Sequence, residues 1–200
     1  MGAVRLEHAS AAEITDLAAV LAEAFADYAW TRWTVDSERR EARTAAIQRL
    51  YLEHLALPHG EVWVNEGRTA VAVLLPPDLA ELDPAPLTPE LQEKLASLHG
   101  ESVRNLAHAL PEPPPGAWTL ATIGVAPREQ GSGQGTGLLE SVLAAGPGRT
   151  IALETSSESN VAFYRRFGFE VWAVSEMPDG GPPVWSMLRS PDAPVEAVSA

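Results

Sequence analysis

VAPREQGSGQGTGLLESVLAA, from Val125 to Ala145, sets the end of a β-favouring run, a glycine loop and an amphipathic helical stretch in direct succession. The loop itself, QGSGQG (Gln130 to Gly135), holds three of the chain's 15 glycines. A flexible linker would have polar sequence without period on both sides. Instead AWTLATIGV (Ala117 to Val125) precedes the loop, and Leu138, Leu139, Val142 and Leu143 follow it at helical spacing. Amides at a helix start are unpaired and carry the positive end of the helix dipole, and glycine lets an anion come close to them. A phosphate is the guest that suits such a loop. The spacing is not that of a P-loop, because no lysine follows the last glycine. Glu154 stands about twenty residues further on, where a dinucleotide-binding βαβ unit carries its ribose-binding acid, so spacing alone leaves that reading open.

Working outward, RTIALET (Arg149 to Thr155) reads as a second strand, Asn160 to Phe167 as a short helix closed by Gly168, and Phe169 to Val174 and Val184 to Leu188 as two more strands. The tail from Pro191 is expected to fray. Upstream, PEPPPG (Pro111 to Gly116) is a stiff connector and the one plausible boundary between two halves. Before it, Thr88-Pro89 starts a helix carrying Leu91, Leu95 and Leu98; Gly100 interrupts it, and a further helical stretch carries Val103, Leu106 and Leu110. EVWVNEG and TAVAVLL read as an antiparallel hairpin turning near Glu66-Gly67-Arg68. Near the N-terminus, Val4 to Glu7 is a strand candidate. Ser10-Ala11-Ala12-Glu13 has capping-box spacing, and Ile14, Leu17, Leu21 and Phe25 line one face of the helix it opens. A second helix over Ser37 to about Leu55 presents Ile47, Leu50, Tyr51, His54 and Leu55.

With 200 residues, 46% hydrophobic and 20% charged, the chain is expected to form one soluble domain with a substantial core. Its longest apolar runs fall short of a membrane span, and MGAVRLEHAS lacks the pattern of a secretory signal. No cysteine is present, which excludes disulfides, zinc-thiolate sites and thiol nucleophiles and fits a cytoplasmic location. The formal net charge of -13 argues against sequence-independent binding to nucleic acid. The five histidines show no metal-ligand spacing, so no metal is expected.

Val125-Ala126-Pro127 with Gln130 to Gly135 and Leu138-Leu139 resembles V-x-P-x-x-[QR]-G-x-G-x-[GA], a signature of the GCN5-related N-acetyltransferase (GNAT) superfamily. SNVAFYRRFGFEV, with Asn160 and Tyr164, resembles that superfamily's second motif, N-x-x-A-x-x-[FY]-Y-x-x-x-G-F. The resemblance implies an α/β (α+β) fold with a mixed, mostly antiparallel sheet of about seven strands and helices on both faces. It also implies one domain over 1–190, with an acceptor-shaping half at about 1–110 and an acetyl-CoA-binding half at about 117–190. From Phe25 to Arg189 the stretches AFADYAWTRWTVDSERR, EVWV, TAVAV, LETS, FYRRFGF and VWSM are further similar to the puromycin-acetylating members.

What the resemblance implies is direct transfer of an acetyl group from acetyl-CoA to the primary amine of a small molecule, by a monomer or homodimer. The amides of Gln130, Gly131, Ser132, Gly133, Gln134, Gly135 and Thr136 would hold the diphosphate, with Asn160 and the backbones of Ile123 and Val125 completing the cofactor site. Tyr164 would protonate the leaving sulfur; a tyrosine packed on a helix flank is the plainer alternative. Glu154 would take the amine's proton, or else cap a loop or pair with Arg165 or Arg166. Tyr28, Trp30 and Trp33 suit stacking on an aryl acceptor but equally suit the core, and Asp27 could attract the amine or merely end a helix. Another amine, a polyamine or a protein N-terminus, and a CoA-binding module without turnover both remain open.

Overall fold

The computed structural model describes residues 2–191 and 193. Its regular elements are β1 (Ala3–Leu6), α1 (Ala11–Ala24), α2 (Ala29–Thr34), α3 (Arg40–Tyr51), α4 (Leu57–His59), β2 (Glu61–Asn65), β3 (Ala70–Leu75), α5 (Pro89–His99), β4 (Trp118–Val125), α6 (Gln134–Ala145), β5 (Ile151–Thr155), α7 (Glu158–Arg165), β6 (Glu170–Ser175) and β7 (Val184–Arg189). Apart from Pro191 and Ala193, the tail expected to fray lies outside the described residues.

One seven-stranded sheet, in the order β1-β2-β3-β4-β5-β7-β6, organises the chain. Every neighbouring pair is antiparallel except β4 with β5. β2 is buried throughout and β3 nearly so, because helices cover both faces. Val62, Val64, Val71 and Val73 pack with Ile14, Leu17 and Leu21 of α1. Their neighbours in sequence, Trp63, Ala70, Ala72 and Leu74, join Leu138, Leu139 and Val142 of α6 in the larger cluster that also holds Tyr164, Phe167 and Phe169. The period of two in the strands thus feeds two cores at once. A third, smaller cluster joins Ile47 and Leu50 of α3 to Leu91 and Leu95 of α5.

Local chemistry starts the helices where expected. Ser10 accepts from the Glu13 amide at 3.2 Å and its own amide donates to the Glu13 carboxylate at 2.9 Å, which closes the capping box on α1. Thr88 caps α5 by accepting from the Leu91 amide. Where α1 crosses β4, a Cβ on Gly124 would stand 2.9 Å from Leu21 and 3.1 Å from Ala24, so only glycine permits that approach.

One helix has no counterpart among the expected elements, and two expectations need correction. Ala29–Thr34 forms a helix of its own, although its aromatic and β-branched residues give it little helical signal. The stretch after Gly100 is a 3₁₀ helix over Gly100–Ala107, with Leu110 beyond it. Asp36 holds its start by accepting from the Glu101 and Ser102 amides, each at 3.0 Å. Finally, α3 begins at Arg40 and continues into a π turn, Leu52–Ala56, before α4. The wider turn rotates the apolar stripe, so Leu52 is buried in place of Tyr51 and His54, which are exposed.

Candidate active site

β4 and β5 run parallel, but they pair only at Trp118 with Ile151 and Thr119 with Ala152. Beyond Thr119 they diverge, leaving one edge of β4 without a strand partner all the way to Val125. Opposite Val73 and Leu74, the pairing skips Ala121, an extra residue that bends β4 at the point where the split begins. A cavity of about 480 Å³ occupies this split. Its walls include Thr119 to Ile123 of β4, Glu154 to Ser156 of β5 and its following turn, and Asn160 and Tyr164 of α7; α2, α3, the π turn, β3, His99 of α5 and Leu106 supply most of the rest.

At the foot of the open β4 edge lies the glycine loop. Gly131 and Gly133 have φ of 76° and 83°, a conformation that presents successive amides to one side. The amides of Gly131 through Thr136 have no acceptor among the described residues, and the last three open α6, where its dipole is positive. Three side chains lock the loop in place. Gln130 donates from Nε2 to the Val125 carbonyl at 3.0 Å, Ser132 donates to the Glu129 carbonyl, and Gln134 accepts from Asn65 Nδ2 at 3.1 Å. Asn65 in turn accepts from the Thr69 and Ala70 amides and so anchors the loop to the β2–β3 hairpin. The donor set fits a diphosphate: backbone N–H groups free, side chains committed elsewhere. Nothing in the sequence around Asn65 announces that anchoring.

Tyr164 is 6% exposed, with its ring against Phe163 and Phe169 and its residue in the cavity wall. Burial first, and the neighbouring Tyr28 second, push its ionisation far above that of ordinary tyrosine, so the phenol keeps its proton. Glu154 reaches solvent along the cavity, yet desolvation by the surrounding protein raises its carboxyl above the usual range. No salt bridge joins it to Arg165 or Arg166 among the described residues.

The expected acceptor residues divide. Tyr28 and Trp30 are in the cavity wall, whereas Asp27 is exposed outside it. Trp33 is also absent from the wall; it stacks on His108 at 6.0 Å and packs against Gly181, with its Nε1 buried and without a partner. Tyr28 does more than offer a ring face. Its hydroxyl accepts from the Ser156 amide at 2.7 Å and lies 2.8 Å from Thr155 Oγ1, tying α2 to the end of β5. Asn160 donates to that same Thr155 oxygen at 3.3 Å. Ile123 lines the cavity, whereas Val125 meets the loop through the Gln130 contact.

Comparison with known proteins agrees with this geometry. A family model described as an acetyltransferase (GNAT) domain matches residues 98–171, from the end of α5 into β6. The sheet of this chain has the GNAT fold. A Corynebacterium glutamicum structure described as histone acetyltransferase HPA2 and related acetyltransferase is 26% identical, with a TM-score of 0.72 over 97% of this chain and 99% of that one. An N-acetyltransferase from Staphylococcus aureus Mu50 (14% identity, TM-score 0.59, 92% and 99% covered) and a Drosophila melanogaster polyamine N-acetyltransferase (17%, 0.53, 94% and 99%) share the fold. The GNAT match spans the glycine loop, Glu154 and Tyr164 together.

Proposed function

We propose that this protein transfers the acetyl group of acetyl-CoA to the primary amine of a small molecule, with residues 1–190 acting as one GNAT domain. The observation that carries the proposal is the row of unpaired amides from Gly131 to Thr136 at the foot of the split, with a protonated phenol in the wall of the same cavity. In this reading the loop amides grip the diphosphate and the open β4 edge at Ile123 receives the thioester arm. Bound there, acetyl-CoA supplies the acyl group and a thiolate leaving group. Glu154 takes a proton from the incoming ammonium, directly or through water, and Tyr164 gives its proton to the sulfur as the C–S bond breaks. Tyr28 and Trp30 offer ring faces to the acceptor. On the resemblance of AFADYAWTRWTVDSERR and the other quoted stretches, the acceptor is puromycin or a related aminonucleoside.

Isothermal calorimetry of the purified protein with acetyl-CoA, followed by a CoA-release assay on an amine panel that includes puromycin, tests this. Saturable binding and amine-dependent release of CoA are expected. Absence of any affinity for acetyl-CoA ends the proposal; binding without turnover on any amine assigns a CoA-sensing role instead.

A further inference from the structure

The part of the cavity formed by α2, α3, the π turn and α5 carries no charged side chain: Val35, Ile47, Leu52 and Leu55 give it apolar ground, set among the neutral Thr31, Thr34, Thr44 and Gln48. Glu154 is the one carboxylate in the entire wall, and no lysine or arginine is present there. That is unexpected for a chain of net charge -13, whose surface is otherwise rich in Asp and Glu. A second ammonium entering this end would lose hydration with no counter-charge to replace it.

Of the buried polar side chains at this end, Thr31, Thr34, Thr44 and His99, the histidine alone brings a ring nitrogen. His99, at the last position of α5, is 8% exposed and belongs to the cavity wall. Its Nδ1 lies 2.7 Å from the Thr34 carbonyl. A carbonyl only accepts, so Nδ1 carries the proton and Nε2 is left with its lone pair. Nε2 makes no hydrogen bond to the described residues and is not among their fully buried polar atoms, so it keeps an accessible face. Burial lowers the affinity of the ring for a second proton, which keeps that lone pair available at neutral pH. Thr44, in the same wall, likewise has a buried hydroxyl without a partner.

We infer that His99 is a specificity-determining residue: the acceptor carries a single amine on an apolar, aryl-sized body, and a hydrogen-bond donor on that body is received by His99 Nε2. The inference rests on the acetyltransferase reading and narrows it to monoamines with a neutral polar group, against polycations. The pairing is selective because a ligand that lacks the donor covers Nε2 on binding and leaves its lone pair unsatisfied.

The test compares kcat/KM for tyramine and its longer-chain homologues with the same amines lacking the phenolic hydroxyl, and with spermidine and agmatine. In the wild type the hydroxyl raises kcat/KM about tenfold for at least one chain length. The polycations are turned over about 100-fold less efficiently than the best monoamine. His99→Asn keeps an N–H for the Thr34 carbonyl but has no atom at the Nε2 position, so the hydroxyl preference falls to about one while the Kd for acetyl-CoA holds. A merely structural His99 would leave the preference intact. An undiminished preference in His99→Asn, a wild-type preference near one at every chain length, or spermidine or agmatine matching the monoamines overturns the inference. Because calorimetry on the wild type comes first, lack of acetyl-CoA binding is read separately and removes the acetyltransferase reading itself.

Discussion

Glu154 and Tyr164 are perturbed in the same upward direction by the same agent, burial, with different consequences for the chemistry each can do. The phenol stays neutral and able to donate; the carboxyl is made a stronger base than an ordinary glutamate, which is what abstracting a proton requires. For Glu154 the raised folded pKa means that stability is fully present below the ordinary glutamate pKa and is lost as pH rises through the folded value. In the proposed reaction, the same ionisation that costs stability creates the base. Glu154→Gln should therefore lower kcat/KM and shift the acidic limb of its pH profile toward the ionisation of the amine itself; an unmoved limb hands the proton to solvent. Tyr164→Phe preserves the ring contacts with Phe163 and Phe169. It should cut kcat by about 10²- to 10⁴-fold with little change in acetyl-CoA affinity, as read by steady-state kinetics beside calorimetry.

At the scale of elements, the loop before α6 and the π turn after α3 show what a sequence discloses and what it hides. The loop is legible because its glycines, the strand before it and the helix after it are all local signals, and the structure assembles them without change. The role of Gly133 follows from its φ of 83°, which a residue with a Cβ adopts at a cost of about 1–2 kcal/mol. Gly133→Ala should raise the KM for acetyl-CoA about tenfold and leave the KM for the amine nearly unchanged, since open space surrounds that position and only the direction of the amides is disturbed. The π turn had no such local marker. Leu52 displaces Tyr51 and His54 from the buried face because the turn widens, and that widening is decided by packing against β3 and α1 rather than by Leu52–Ala56 themselves. α2 escaped for a related reason: Trp30 and Thr34 are helical because Tyr28 is pinned to Ser156 and Asn105 donates to the Trp33 carbonyl at 2.6 Å, contacts from far along the chain.

Across the whole molecule, ends of the chain distant in sequence meet at Glu61. This carboxylate is 4% exposed and accepts from Arg5 at 3.2 Å, Arg149 at 2.9 Å and Trp63 Nε1 at 3.2 Å, while the Arg149 guanidinium lies 4.0 Å above the Trp118 ring. Desolvation pushes the Glu61 carboxyl up, but Arg149, Trp63 and Arg5 together outweigh it and hold the group below its ordinary value. The contribution is thus present above the unfolded pKa and lost as pH falls through the lower folded one. Glu61→Gln should cost about 1–3 kcal/mol at neutral pH and flatten the acid side of the stability curve, measured by denaturant melts at several pH values. Sequence periodicity made the sheet and the two flanking cores readable. The Glu61 cluster and His99 were not, since each depends on partners supplied only by the finished fold.

The narrow join between β4 and β5 has a mechanical meaning. Strands β1 to β4 and strands β5 to β7 are two plates stitched edge to edge at Trp118 and Thr119, with a wedge-shaped gap above the stitch. A guest with amides of its own, threaded into that gap, supplies the missing rungs and splints one plate to the other. Under the proposed function, such loading would be felt as stiffening along the full width of the sheet, out to strands that never touch the guest.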